Sequence, residues 1–177
     1  KGNYSGKVQR KYHITKAPLT VTTEGATRAY NGQPLTAPGT VTGFVEGENA
    51  ELQVTGKQTD VGSSKNTYNI VWTETTKADN YQVSDTVGTL TVTAQSIKDS
   101  EKITVGTLSN VVYTGKKQEQ EPAVTTQDGK TKLVKGTDYT LSYSEDTKNV
   151  GEVTVTVTGK GNYSGKVQRK YHITKAP

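Results

Sequence analysis

The side chains best suited to proton transfer or metal ligation at neutral pH are two histidines, His13 and His172. They are one position met twice. Residues 1–18, KGNYSGKVQRKYHITKAP, return unchanged as residues 160–177, so a repeat of 159 residues holds a single His. A zinc site or a triad needs further groups converging on the imidazole, and the chain has no Cys and no independent second His to supply them. In Val167-Gln168-Arg169-Lys170-Tyr171-His172-Ile173 the alternation groups Tyr171 and Ile173 with Val167 on one face. His172 falls on the other face, as a solvated strand residue.

Seventeen Asp and Glu residues leave material for a glycosidase-type carboxylate pair, but such a pair works in a cleft that raises one pKa. Short strands with short loops offer little of one. No GxSxG, HExxH, P-loop or EF-hand pattern occurs. Gly159-Lys160-Gly161 joins two strands and opens no helix, so it lacks the N-terminal amides that hold a phosphate. Lys102 is a candidate for a Lys to Asn amide crosslink between first and last strands, yet neither closing strand contains Asn. Asn162-Tyr163-Ser164 and its copy Asn3-Tyr4-Ser5 fit the N-glycosylation pattern. With Gly following, they read better as a turn ahead of a strand, Asn and Gly taking the positive-φ positions. The expectation is a chain with no catalytic, cofactor-binding or metal-binding residues, no cofactor and no enzymatic activity.

Ten Tyr stand against one Phe and one Trp, a choice that fills a thin core while letting a hydroxyl reach its edge. Tyr139 and Tyr143, flanking Leu141 in alternation, are expected in the core. Trp72 shares a face with Ile70 opposite Val71 and is expected there too; exposed, it would be an anchor for sugar or protein.

The elements that must position these side chains are strands. Glu152-Val153-Thr154-Val155-Thr156-Val157-Thr158 and Thr89-Leu90-Thr91-Val92-Thr93 alternate strictly, as half-buried strands of antiparallel sheets do. Thr on the wet face keeps β propensity high without adding apolar surface, which reconciles a mean hydropathy of −0.72 with an all-β chain. The net charge of +5 belongs to the duplicated segment: Lys1, Lys7, Arg10, Lys11 and Lys16 account for it, and removing those five from 22 basic residues leaves 17 against 17 acidic. A neutral repeat gives no ground for a nucleic-acid or anionic-membrane partner, and no apolar run is long enough to insert in a membrane.

A weaker self-similarity lies inside the period. Tyr30-Asn31-Gly32 answers to Tyr113-Thr114-Gly115, Asp60-Val61-Gly62 to Asn149-Val150-Gly151, and Asn80-Tyr81 to Asn162-Tyr163, each set followed by a closing strand. This divides the chain into residues 1–18, an orphan copy of the closing strand 160–177; residues 19–95, β module one; and residues 96–177, β module two. The fold class expected is all-β, two tandem small antiparallel modules end to end, with an Ig-like sandwich favoured and a β-grasp-like arrangement as the alternative. Val45–Leu52 is the one stretch where a helical turn is admitted. In module two the strands are expected at 103–105, 111–113, 123–125, 139–143, 153–157 and 167–173. The seam at Lys16-Ala17-Pro18 is expected to be stiff, because Pro restricts itself and its predecessor. The seam near residues 94–99 is expected to be longer and, lacking Pro, to bend more. Residues 1–18, cut from their module, are expected to pair with a neighbouring chain or unit.

The run Val112-Tyr113-Thr114-Gly115, Pro122-Ala123-Val124, Leu133 to Tyr143, Asn149-Val150-Gly151 and Gly159 to Gly165 resembles a repeat of Gram-positive cell-wall-anchored surface proteins. Module one, with Tyr30-Asn31-Gly32-Gln33-Pro34-Leu35, Asp60-Val61-Gly62, Asn80-Tyr81 and Gly88 to Val92, is similar to the MBG-type repeats of bacterial adhesins. The resemblance implies an extracellular, cell-wall-anchored, non-catalytic module in the stalk of an adhesin, with adjacent repeats of the same chain as partners. The other function it leaves open is weak, multivalent binding of host glycan or extracellular protein by the modules themselves.

Overall fold

The computed structural model describes residues 2–177. Lys1, counted above in the first copy of the repeat, lies outside the described residues. Module one contains β1 (Ala17–Thr23), β2 (Ala26–Ala29), β3 (Gly39–Thr42), β4 (Ala50–Val54), β5 (Gly62–Lys65), β6 (Tyr68–Trp72), β7 (Tyr81–Val87) and β8 (Thr89–Thr93). Module two contains β9 (Gln95–Ser96), β10 (Ile103–Val105), β11 (Val111–Val112), β12 (Val124–Thr126), β13 (Tyr139–Tyr143), β14 (Gly151–Gly159), β15 (Tyr163–Ser164) and β16 (Lys166–Thr174). The fold is all-β, several small sheets packed in a sandwich-like manner.

Alternation explains the strands that matter most. Val153, Val155 and Val157 are buried along β14 while the intervening Thr residues stay half exposed. They face Leu141 of β13 and Tyr171 and Ile173 of β16 across the sheet β11-β16-β14-β13. Arg169 ties this sheet to the second layer, its Nη2 donating to the Val105 carbonyl of β10 at 2.7 Å. Module one buries fewer apolar side chains: Leu19, Val21, Leu35, Tyr81, Leu90 and Val92. It adds a polar plug, Asn66, fully buried, whose Nδ2 donates to the carbonyls of Glu24 and Ala37 at 2.9 and 3.0 Å.

The two modules share a pairing scheme. In module one β1 runs parallel to β7 with Ala17 opposite Tyr81; in module two β9 runs parallel to β15 with Gln95 opposite Tyr163. The closing strands repeat the scheme, β8 parallel to β2 and antiparallel to β5, β16 parallel to β11 and antiparallel to β14. Gln95 therefore opens module two as Ala17 opens module one.

Four expectations change. The seam near residues 94–99 is not the longer one: β8 ends at Thr93 and β9 begins at Gln95, so Ala94 alone connects the modules. Val45–Leu52 forms no helical turn, because Ala50, Leu52 and Val54 are needed opposite Trp72, Ile70 and Tyr68 in the β4–β6 pair. Among the described residues the helical content is one 3-10 turn at Ala78–Asn80, so the helix of a β-grasp is missing. Asn162 does not take a positive φ; Gly161 (φ 64°) and Gly165 (φ 88°) do, where a Cβ would cost most.

Residues 2–16, expected to pair, form no strand and pair with none of the described residues of this chain. Tyr4, Val8, Tyr12 and Ile14 are 81–98% exposed. Their copy, β16, is bonded on both edges by β11 and β14 of its own module, and the equivalent strands of module one, β2 and β5, are already bonded to β8.

Candidate binding surface at the module junction

The junction is built from turn residues held by the closing strands. The Tyr30 N–H donates to the Thr93 carbonyl at the end of β8 at 2.8 Å, which fixes the Tyr30 ring at the end of module one. That ring meets Tyr163 of module two edge to face, centroids 5.6 Å apart, the favoured geometry of an aromatic pair. Beside it, the Asn162 amide clamps the loop before β5. Its Nδ2 donates to Asp60 Oδ1 at 2.9 Å and its Oδ1 accepts the Val61 N–H at 2.9 Å. Within module two, backbone bonds hold β9 against the Asn162 turn and β15: the Gln95 N–H donates to the Asn162 carbonyl at 3.0 Å and the Ile97 N–H to the Ser164 carbonyl at 2.9 Å. Two side-chain bonds and a ring pair across a one-residue connector leave the modules little freedom to turn.

A cleft of about 880 Å³ opens beside this clamp. Arg28, Tyr30 and Gln33 line it from module one, and Lys102, Gln127 and Tyr163 from module two. Arg28 Nη2 donates to the Gln33 carbonyl at 2.6 Å, while its Nε is shielded from solvent without an acceptor. Burial holds the Tyr163 hydroxyl above its usual pKa.

The residues singled out for chemistry are scattered. His172 is exposed on β16, its Nε2 3.9 Å from Glu152 Oε2. The Glu152 carboxyl is lowered first by its hydrogen bond from Lys170, 2.7 Å away. Lys102 is exposed, and the segment Gly159-Lys160-Gly161 joins β14 to β15. Tyr139 is buried and Tyr143 half-buried on one face of β13, the Tyr143 hydroxyl donating to the Gln120 carbonyl at 3.0 Å. Trp72 stacks on Tyr81 at 5.8 Å and meets Phe44 edge-on, half-buried at the rim of module one. Tyr68 donates to Asp85 Oδ2 at 2.8 Å, and burial followed by that carboxylate pushes its pKa up to about 12.

Among the described residues no three His, Cys, Asp or Glu side chains gather as a metal site, and no helix is long and apolar enough to cross a membrane. The junction residues Asn162, Asp60 and Tyr30 were visible in the sequence as repeat landmarks, but as turns. That the same landmarks occur in both modules was the available signal that they serve a recurring contact.

No curated protein matches the chain. Residues 19–91 match the family model described as MBG domain (YGX type), a span that begins two residues inside β1 and ends within β8. Module one is thereby similar to the MBG domain of the YGX type.

Proposed function

We propose that this chain is a structural repeat of the stalk of a bacterial cell-surface adhesin, non-catalytic and extracellular, which holds a binding domain away from a Gram-positive cell wall. The observation that carries the reading is the junction, where one connecting residue, a clamped amide and a ring pair couple two modules. A spacer needs that coupling, since a chain of freely hinged modules has little reach for its length. The exact repetition of residues 1–18 at 160–177 and the neutral period fit a tandem array with no steering charge. The MBG match over residues 19–91 supports a repeat domain of surface proteins. The test is NMR residual dipolar couplings on the intact chain: one alignment tensor describing both modules agrees with a spacer, and two independent tensors contradict it.

A second reading rests on the cleft, whose two tyrosines, Arg28 and glutamine amides offer stacking and hydrogen-bonding groups to a glycan. Repetition would then convert weak single-site affinity into avidity. Saturable binding in a glycan and matrix-protein screen, abolished by Tyr30→Ala, would favour this reading over the spacer.

A further inference from the structure

The exposed end of module two carries the same parts as the end of module one that is already clamped. The Tyr113 N–H donates to the Thr174 carbonyl at the end of β16 at 2.9 Å, as Tyr30 does to Thr93. The Tyr113 ring, 37% exposed, is thereby held at the end of its module as Tyr30 is. Asn149-Val150 stands before β14 where Asp60-Val61 stands before β5. The Asn149 Nδ2 donates to Asp146 Oδ2 at 2.8 Å, which leaves the side-chain carbonyl as an outward acceptor. Val150 is 49% exposed and Val112 48%.

The complementary parts lie on module one. Asn80 ends the turn before β7 as Asn162 precedes β15, and it is exposed. Tyr81 opens β7 opposite Ala17 as Tyr163 opens β15 opposite Gln95. The connector agrees too. Residues 7–15 copy β16, so Lys16 is the one residue between a closing strand and Ala17, as Ala94 is between β8 and Gln95.

We infer that the end of module two, at Tyr113, Asn149 and Val150, is a docking surface for the Asn80–Tyr81 end of module one in the next copy of the repeat. The Asn80 amide donates to the Asn149 side-chain carbonyl and accepts the Val150 N–H, and Tyr113 packs over the exposed turn Ala78–Asn80, because the Tyr81 ring is buried against Phe44 and Trp72. Every seam of the array then has one design. This rests on the tandem-array reading and extends it from the seam within a period to the seam between periods.

The experiment uses residues 1–177 continued by a second copy of residues 19–177. The natural sequence has no Cys, so paired Cys substitutions carry spin labels without background. Lys65→Cys with Lys132→Cys in one period reports the inner seam by dipolar spectroscopy. Lys132→Cys in the first period with Lys65→Cys in the second reports the outer seam; both lysines are exposed. The expected result is one narrow distance at each seam. Asn80→Ala in the second period then broadens the outer distribution at least twofold and leaves the inner one alone, and Tyr113→Ser in the first period does the same. Asn162→Ala in the first period broadens only the inner one. An outer distribution that is broad in the parent, or unmoved by both outer-seam variants, overturns the inference. Broad distributions at both seams in the parent overturn the spacer reading with it.

Discussion

Residues 7–15 and 166–174 are the same nine amino acids in two conditions. In the second place they form the inner strand β16, with Tyr171 and Ile173 each 1% exposed. In the first, Tyr12 and Ile14 are 84% and 90% exposed and no strand forms. Local propensity is identical, so it cannot be the cause of the strand. What differs is a pair of free sheet edges and a face of Val153 and Val155 to cover. Strand structure here is conferred by the module body, which agrees with β propensity being largely a packing effect.

The two copies differ most in their apolar contacts. Tyr171→Ala removes a buried ring from module two and should cost about 3–5 kcal/mol in urea unfolding. Tyr12→Ala should stay within about 0.5 kcal/mol. Equal costs would mean residues 7–15 hold structure of their own.

Backbone strain separates the copies next. Gly165 sits at φ 88° before β16, so Gly165→Ala should cost about 1–2 kcal/mol. Gly6→Ala, in the unpaired copy, should leave the unfolding midpoint unchanged. Asn162→Ala, which removes both clamp bonds, should cost about 1 kcal/mol and decouple the dipolar alignment of the modules, while Asn3→Ala should be silent.

The smallest effect is electrostatic. Hydrogen bonding from Lys170 lowers the Glu152 carboxyl in the folded module. A depressed carboxylate contributes stability in full above its unfolded pKa and loses it as pH falls through the folded value. Lys170→Gln should therefore raise the Glu152 midpoint toward the ordinary carboxylate value in an NMR titration, and Lys11→Gln, its counterpart in the unpaired copy, should not move it.

Much of module two was legible because its strands obey one rule. Tyr139–Tyr143 matches the expected span, and β14 and β16 extend theirs by one or two residues at each end where pairing continues past the apolar positions. The junction was less legible, because a polar residue that bonds across modules looks like any turn residue. Asn162 reaches a carboxylate 102 positions away, a contact no local pattern encodes. Asn66 is the same case inside module one, its acceptors 29 and 42 positions distant. The seam length was misjudged because residues 95–96 look unstructured in sequence and become a strand only opposite Tyr163 and Ser164.

Module bodies, and not the repeated segment, carry the structure. Amide hydrogen exchange by NMR on the intact chain reads both copies in one sample. Slow exchange is expected at Tyr171 and Ile173, and exchange near the random-coil rate at Tyr12 and Ile14. Comparable protection at the two copies would contradict it.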